Sequence, residues 1–318
     1  MTPPTIMIVG ANGLLGQKVT EFLARGTSNR LILAGRTASP RLQVPEASYL
    51  ELDITKKQQV REVVAEHKPN VIINAAAMTN VDACEKERET AWKINVTGVE
   101  NIIEAAKRLD ATVVHVSTDY VFDGKDGPYA EDDRPEPINY YGRSKLASEN
   151  QLRASGLRYV IARTMVLYGF AVEVKSNFAL WLVRNLEERT PVRVVDDQMG
   201  NPTLVDDLAH AIISAVELEK SGVYHIAGRE IVSRYDFALR LASVFGFDAE
   251  LISPVKTATL NQPAQRPLKS GLITLRAEVE LGYRPSTVDE GLGILKGQLS
   301  RTPRRLPDSA PIPGRKRS

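Results

Sequence analysis

A short apolar run followed by three evenly spaced glycines opens the chain. Residues 6–9, Ile-Met-Ile-Val, have the character of a buried strand, and residues 12–25 carry apolar side chains at helical spacing. A glycine-rich turn between a strand and a helix lets phosphate groups approach the backbone N–H groups of the first helical turn. The pattern therefore predicts the first unit of a dinucleotide-binding fold. The residues predicted to contact the cofactor in this loop are Gly10, Asn12, Gly13, Leu14, Leu15 and Gly16.

Apolar strands and helices continue to alternate over the next 150 residues. Continuous apolar runs are typical of parallel strands that are covered on both faces. We therefore predict an α/β fold, a Rossmann doubly wound parallel sheet within residues 1–169, with a long helical segment from about residue 82 to residue 108. The predicted further strands are residues 31–34, 49–52, 71–76, 112–116 and 159–162.

The regular alternation ends after residue 169. We expect residues 170–299 to form mainly a smaller, irregular C-terminal substrate lobe, from which segments near 192–227 return to the sheet. Residues 300–318 are rich in proline and basic residues without apolar periodicity, which predicts a disordered tail. The patterns in this half are strands at 192–195 and 223–226 and helices at 204–219, 235–245 and 287–296.

The end of the second predicted strand bears on the choice of cofactor. Where an acidic residue often holds the ribose 2′-hydroxyl of NAD, this chain has Arg36. A guanidinium pairs well with a 2′-phosphate, so we expect NADP, used as NADPH, with NAD as the alternative. Otherwise Arg36 is a solvated loop charge. By their position after later strands, the other predicted cofactor contacts are Asp53, Ile54, Ala75, Ala76 and Ala77.

A hydroxyl, a tyrosine and a lysine form a candidate proton-transfer site. Thr118 ends a predicted strand, and Tyr141 and Lys145 are four residues apart, on one face of a predicted helix. A phenol with a pKa near 10 is protonated at neutral pH, and a nearby ammonium favours the phenolate that remains after donation. Tyr-x-x-x-Lys alone also describes an ordinary helix surface pair. The glycine loop and the strand-end hydroxyl favour a catalytic role.

These residues resemble the extended short-chain dehydrogenase/reductases. More narrowly, Ser-Thr-Asp-Tyr-Val-Phe-Asp-Gly at 117–124 and the segments at 74–82, 94–96, 141–145, 200–203 and 266–270 resemble the dTDP-4-dehydrorhamnose reductase group. The resemblance implies an NAD(P)H-dependent reduction of a nucleotide-linked 4-keto-6-deoxy sugar. It implies catalytic roles for Thr118, Tyr141 and Lys145. It places Asn95, Ser117, Tyr141 and Lys145 at the cofactor, and Thr118, Asp119, Tyr120 and Arg266 at the substrate.

Two other functions fit the same motifs. A nucleotide-sugar epimerase or dehydratase that retains its cofactor is one, because dehydratases carry an acidic proton shuttle at the position of Asp119. The other is a non-catalytic NADP-binding regulatory subunit, similar to the β subunit of methionine adenosyltransferase. The segment 170–177 departs from the rhamnose enzymes where the substrate pocket is expected to close, so the particular sugar stays open.

The composition of the chain argues against several kinds of partner, namely nucleic acid, a membrane and a metal ion. The net charge of +2 gives no electrostatic reason to expect nucleic acid, and no apolar run approaches the length of a membrane span. Cys84 is the single cysteine, so no intrachain disulfide forms, and we expect a cytoplasmic protein. The four histidines lack the spacing of metal ligands, so no metal is predicted. A homodimer is the candidate assembly.

Overall fold

The computed structural model describes residues 3–26 and 29–301. Most of the predicted tail therefore lies outside the described residues, while Ser300 and Arg301 belong to the last helix rather than to a tail. No helix within the described ranges is both long and apolar enough to cross a membrane.

The described strands and helices follow one another closely along the chain. The strands are β1 (Thr5–Val9), β2 (Arg30–Gly35), β3 (Ser48–Glu51), β4 (Val71–Asn74), β5 (Thr112–Thr118), β6 (Tyr159–Thr164), β7 (Leu167–Tyr168), β8 (Val192–Val195), β9 (Met199–Gly200), β10 (Thr203–Leu204), β11 (Gly222–His225), β12 (Val232–Ser233) and β13 (Ile252–Val255). The helices are α1 (Leu14–Gly26), α2 (Lys57–His67), α3 (Val81–Lys86), α4 (Arg88–Trp92), α5 (Gly98–Lys107), α6 (Tyr140–Arg153), α7 (Phe178–Glu187), α8 (Val205–Glu217), α9 (Arg234–Phe245), α10 (Leu275–Leu281) and α11 (Val288–Arg301).

The central sheet has seven parallel strands in the order β11-β6-β5-β4-β1-β2-β3. The predicted doubly wound parallel sheet is confirmed. The strand order reverses between β1 and β4, so the loops after these two strands lie side by side at the carboxyl edge. Open α/β sheets bind ligands in the crevice at this point.

Apolar side chains cover both faces of the sheet. On one face α1, α8 and α10 pack over residues such as Ile6, Ile8 and Val160, and on the other α2 and α5 pack over Met7 and Ile32. Each fully buried aliphatic side chain contributes about 1.5–3 kcal/mol to folding. Burial on both faces explains why the strands read as continuous apolar runs.

The C-terminal part has its own small core around α7, α9 and α11. β11 returns to the central sheet beside β6, as expected for the end of the 192–227 range. The expectation is wrong for β8, which pairs instead with β13 in a separate two-stranded sheet. β13 escapes a pattern-based prediction because Ser253 and Pro254 occupy its two middle positions. The boundary at residue 169 stays a prediction.

The predicted helical segment over 82–108 is helical over nearly its whole length, but three helices occupy it. α3 ends at Lys86, and Glu87 leaves helical geometry with φ −115° and ψ 54° before α4 begins. A π-helical turn, Lys93–Thr97, then joins α4 to α5. Such turns often mark functional sites. This one places the fully buried Asn95 toward the cluster described below.

Candidate active site

The glycine loop after β1 is shaped by two close backbone approaches. Gly10 has φ +83°, and a Cβ atom on it would lie 2.7 Å from the backbone nitrogen of Ala76, after β4. A Cβ atom on Gly16 would collide with the carbonyl oxygen of Gly10. These glycines let the first turn of α1 lie against the sheet edge, with its unpaired N–H groups directed to the crevice.

Asn12 connects the glycine loop to the loop that follows β2. Its Nδ2 donates hydrogen bonds to Thr37 Oγ1 at 2.6 Å, to the carbonyl oxygen of Ser39 at 3.0 Å and to the Tyr49 hydroxyl at 3.0 Å. Its Oδ1 accepts from the backbone N–H of Arg41 at 2.9 Å. The Asn12 side chain is therefore a brace between two loops, a role that the sequence pattern does not reveal.

Arg36 and Arg41 lie on this braced loop. Arg36 is exposed, and its charge contributes to the electrostatics of Asp53 after β3. Burial raises the pKa of Asp53, but hydrogen bonds from Thr55 and nearby positive charge outweigh it and lower the pKa overall. Arg41, which sequence reasoning missed, donates from Nη1 to the carbonyl oxygen of Asn12 at 3.4 Å. The sequence feature that could have identified Arg41 is its position as a second arginine in the Ser- and Thr-rich loop after β2.

The remaining predicted cofactor contacts lie at the carboxyl edge of the sheet, and their side chains differ in how far they are exposed. Ala75, Ala76 and Ala77 are half-buried after β4. Ile54 is buried and packs against the position of Gly98, where a Cβ atom would lie 2.7 Å from the isoleucine side chain. Small residues after β4 fit a close cofactor, whereas the Ile54 side chain belongs to the core.

Because α6 packs closely against the end of β5, Tyr141 lies near Thr118 and Lys145 lies against His115. Asn139 caps α6 by accepting a hydrogen bond from the backbone N–H of Gly142 at 2.8 Å. A Cβ atom on Gly142 would collide with the carbonyl oxygen of Tyr120, so glycine permits the approach. The Thr118 side chain lies near Tyr141 and lowers its pKa, against the larger effect of burial. Tyr141 and Lys145 are buried on the inner face of α6.

The charges around these residues are set mainly by burial. Burial and then the Asp119 charge raise the pKa of Tyr141 far above its usual 10, so the phenol keeps its proton. Burial lowers the pKa of Lys145 to about 8, against the opposing effect of Glu149. Burial raises the pKa of Asp119 to about 6, although Ser270 and Thr118 donate hydrogen bonds to it.

Two predicted cofactor contacts have side chains engaged inside the protein. Ser117 Oγ donates to Glu149 Oε1 at 2.5 Å. Asn95 accepts from the backbone N–H of Met78 at 2.8 Å and donates to Met78 O at 3.1 Å and to Ser144 Oγ at 3.0 Å. Both side chains brace the walls of the site rather than face it.

The predicted diphosphate contact, Arg266, has an internal partner. Its Nη1 donates to Asp82 Oδ1 at 2.8 Å and to the carbonyl oxygen of Ala264. Asp82 is part-buried, which raises its pKa, but the hydrogen bonds from Arg266 and Ala264 lower the pKa overall. Arg266 is thus held in place at the edge of the site with part of its charge neutralised.

Arg234, at the start of α9, is the second arginine of this region and was missed by sequence reasoning. Its guanidinium lies over the Phe178 ring, 5.0 Å from the centroid, and forms no ion pair with a carboxylate of the described residues. Burial lowers its pKa, against the opposing effect of Tyr120 and Asp119. Because its charged neighbours, Tyr120 and Asp119, follow a strand that is distant in sequence, nothing local distinguished Arg234.

The segment 170–177 lies partly against the cofactor side. Gln17 on α1 donates to the carbonyl oxygen of Val172 at 2.8 Å and accepts from its N–H at 3.0 Å. Glu173 approaches Arg41 at 3.8 Å. Asn177 caps α7 and also donates to the carbonyl oxygen of Gly169. This segment therefore joins the glycine-loop helix to the C-terminal part.

Comparisons with known proteins agree over nearly the whole chain. The sequence model of the family described as RmlD substrate binding domain matches residues 4–297. The dTDP-4-dehydrorhamnose reductase of Aggregatibacter actinomycetemcomitans is 36% identical over 293 residues, which cover 88% of this chain and 94% of that protein.

Solved structures of dTDP-4-dehydrorhamnose reductases resemble this chain over nearly its whole length. A dTDP-4-dehydrorhamnose reductase from Clostridium acetobutylicum superposes with a TM-score of 0.84 at 34% identity, covering 93% of this chain and 99% of that one. The enzyme of the same name from Bacillus anthracis, crystallised with NADP, has a TM-score of 0.81 at 32% identity and covers 93% of this chain and 100% of that one.

Proposed function

The chain belongs to the RmlD substrate binding domain family, and from this membership we propose that it reduces the 4-keto group of a dTDP-linked 6-deoxy sugar with NADPH. The named relatives at 36% and 34% identity are dTDP-4-dehydrorhamnose reductases, which makes dTDP-4-dehydrorhamnose the proposed substrate. The observation that carries the proposal is the buried Tyr141 beside Thr118 at the carboxyl end of β5.

The residues at the crevice fit a dinucleotide. Because neighbouring backbone occupies the space that Cβ atoms would fill at Gly10 and Gly16, only glycine permits this compact loop. The first turn of α1 then offers backbone N–H groups to a pyrophosphate. Arg36 is exposed on the loop after β2, which supports its proposed role in binding a 2′-phosphate. When bound, NADPH supplies the hydride that reduces the carbonyl carbon.

This chain supplies the proton and holds the carbonyl. The Thr118 hydroxyl, which donates to Asp119 in this structure, turns to donate to the substrate oxygen when substrate binds. Tyr141 transfers its phenolic proton to that oxygen as negative charge develops. Lys145, with a pKa of about 8, carries a positive charge at neutral pH and stabilises the phenolate that remains. Burial keeps water from competing for these hydrogen bonds.

The cofactor preference gives a first prediction. Arg36→Asp should lower kcat/KM for NADPH about 10- to 100-fold while leaving that for NADH nearly unchanged, because a carboxylate repels the 2′-phosphate and accepts a 2′-hydroxyl. Steady-state kinetics with both cofactors measure this. Arg30→Asp is the matched control, since Arg30 is exposed at the opposite end of the same strand. An unchanged preference in Arg36→Asp would remove Arg36 from the cofactor site.

The substrate side gives a second prediction. We propose that Arg234 binds the diphosphate, because its guanidinium has no ion-pair partner among the described carboxylates, whereas Arg266 is paired with Asp82. Arg234→Met should raise KM for the nucleotide sugar about 10- to 100-fold, as expected for a lost charge-assisted hydrogen bond. KM for NADPH should change little.

Two controls make the Arg234 result specific. Arg234→Lys keeps the charge and should recover part of the loss, and Arg193→Met removes an exposed arginine of β8. Equal increases of KM for sugar and for NADPH would indicate damage to the fold instead of a lost diphosphate contact.

One assay separates the proposed reductase from the other two functions. NADPH oxidation in stoichiometric proportion to added dTDP-4-dehydrorhamnose supports the reductase. An epimerase or dehydratase converts a nucleotide sugar without net NADPH loss, and the buried carboxyl of Asp119 is the feature that favours it. A regulatory subunit binds NADPH and converts nothing. The homodimer and the cytoplasmic location stay predictions.

A further inference from the structure

A chain of buried hydrogen bonds runs beneath Lys145. The backbone N–H of Ala76 donates to Asn74 Oδ1 at 3.1 Å, and Asn74 Nδ2 lies 3.2 Å from His115 Nδ1. His115 Nε2 lies 3.0 Å from Ser148 Oγ, which donates to the carbonyl oxygen of Lys145 at 2.8 Å. The same Nε2 atom lies 3.0 Å from Lys145 Nζ. All four side chains are at most 1% exposed.

The donor and acceptor in each of these hydrogen bonds can be assigned by starting from the backbone N–H of Ala76. A backbone N–H only donates, so Ala76 fixes Asn74 with its oxygen toward the backbone and its NH₂ group toward His115. The NH₂ group donates, so His115 Nδ1 must accept and carries no proton. A neutral imidazole then holds its proton on Nε2. The N–H so formed faces Ser148 Oγ and Lys145 Nζ.

His115 stays neutral in this position. Burial and then the neighbouring Lys145 charge lower the pKa of His115 well below its usual value. An Nε2–H group offers no lone pair to an ammonium, but it donates readily to a free amine. The contact between His115 and Lys145 therefore stabilises the amine and opposes the ammonium.

The other titratable groups around Lys145 are held by partners of their own or keep their protons. On its own helix, Glu149 favours the ammonium, but it forms a fully buried ion pair with Arg163 of β6, 2.7 Å apart. Tyr141 keeps its proton because its pKa is raised. Asp119, beyond Tyr141, has its principal hydrogen bonds with Ser270 and Thr118. His115 is the remaining neutral group in contact with Lys145 Nζ, and the proton on its Nε2 atom affects the balance between ammonium and amine.

We propose that His115 is a positioning residue for Lys145, held by Asn74 with its proton on Nε2, and that this orientation sets the pH above which reduction fails. The inference rests on the proposed reductase function for its consequence, but not for its geometry. Reduction needs the Lys145 ammonium, so activity should fall as pH rises through the pKa of Lys145, about 8. An interaction that favours the neutral amine of Lys145 lowers its pKa, and so lowers the pH at which activity declines.

The test compares the alkaline limb of kcat/KM for dTDP-4-dehydrorhamnose, at saturating NADPH, in variants that change the direction of the chain. Asn74→Asp accepts at both ends, which moves the proton of His115 to Nδ1 and leaves Nε2 to accept from the ammonium. Asn74→Ala frees Nδ1 without adding charge. Both should move the limb to higher pH, by about 0.5–1 unit.

Ser148→Ala should move the limb the other way. It removes the alternative acceptor of the Nε2–H group, which then faces Lys145 alone, so the limb should fall by about 0.5 unit. Ser144→Ala is the matched control: Ser144 lies one turn earlier on α6 and donates to the carbonyl oxygen of Tyr141 as Ser148 does to that of Lys145. It should leave the limb in place.

Opposite shifts for the Asn74 and Ser148 variants support the proposal, because general damage to the site would not produce opposite signs. Shifts of the same sign, or none, overturn it. NMR titration of Lys145 in protein carrying isotope-labelled lysine should show the same pattern without turnover. If the titration pattern appears but wild-type protein never oxidises NADPH, the reductase proposal fails and the role of His115 stands.

Discussion

Replacing Tyr141 by phenylalanine is expected to lower kcat about 10²- to 10⁴-fold, the usual contribution of a positioned general acid. Only the hydroxyl is lost, since the phenylalanine ring can keep the edge-on contact with Tyr120, whose ring centroid lies 5.8 Å away. Single-turnover reduction followed by NADPH absorbance measures the chemical step. NADPH binding, measured by fluorescence titration, should stay within about threefold of wild type because the fold is unaffected.

Tyr140→Phe is the matched control for this prediction. Tyr140 precedes Tyr141 on α6, but its ring faces Trp92 and the Arg88 guanidinium instead of Thr118. Its loss should leave kcat near the wild-type value. A Tyr141→Phe enzyme that turns over at a rate similar to Tyr140→Phe would show that the proton comes from another group.

Glu149→Gln is expected to cost about 3–5 kcal/mol of unfolding free energy, because it leaves the Arg163 guanidinium buried without a counter-charge. Both side chains are 0% exposed, and the carboxylate contacts the guanidinium at 2.7 and 3.0 Å. Ser117 loses a charged acceptor as well. Urea unfolding, with the midpoint and slope compared with wild type, measures the effect.

An exposed pair of similar geometry provides the control. Arg158 and Glu219 are 2.9 Å apart, but their side chains are 51% and 76% exposed. Glu219→Gln should cost at most about 1 kcal/mol, because water already solvates both charges. If Glu149→Gln lowered the unfolding free energy by no more than Glu219→Gln, the buried Arg163 guanidinium would not need this carboxylate as its counter-charge. A double variant, Glu149→Leu with Arg163→Met, should recover part of the loss because it removes both charges.

Several features were predictable from the sequence because each depends on residues close together in the chain. Gly10, Gly13 and Gly16 between a strand and a helix predict the cofactor loop, and the continuous apolar runs predict buried parallel strands. Tyr141 and Lys145 share a helix face by spacing alone. The central sheet confirms the prediction of buried parallel strands, and its strand order places the loops after β1 and β4 together. The cofactor loop stays a prediction.

Other features depended on contacts that no local pattern encodes. β8 was assigned to the wrong sheet because its partner β13 lacks a clear apolar pattern. The break at Glu87 and the π turn interrupted a helix whose apolar spacing looked continuous. The glycine loop predicted Asn12 at the cofactor, and the resemblance implied Asn95 and Ser117 there. The structure adds that the side chains of these residues brace neighbouring loops and helices, which no local pattern indicated.

By itself, the sequence determined the fold class, the glycine loop between β1 and α1, and the spacing that puts Tyr141 and Lys145 on one face of α6. Tertiary structure decided which charges are free and which are paired: Arg266 is bound by Asp82, while Arg234 has no such partner among the described carboxylates. It also placed His115 against Lys145. The physical reason is that helical spacing and turn geometry act over a few residues, whereas burial, pairing and pKa shifts depend on segments that meet only after folding.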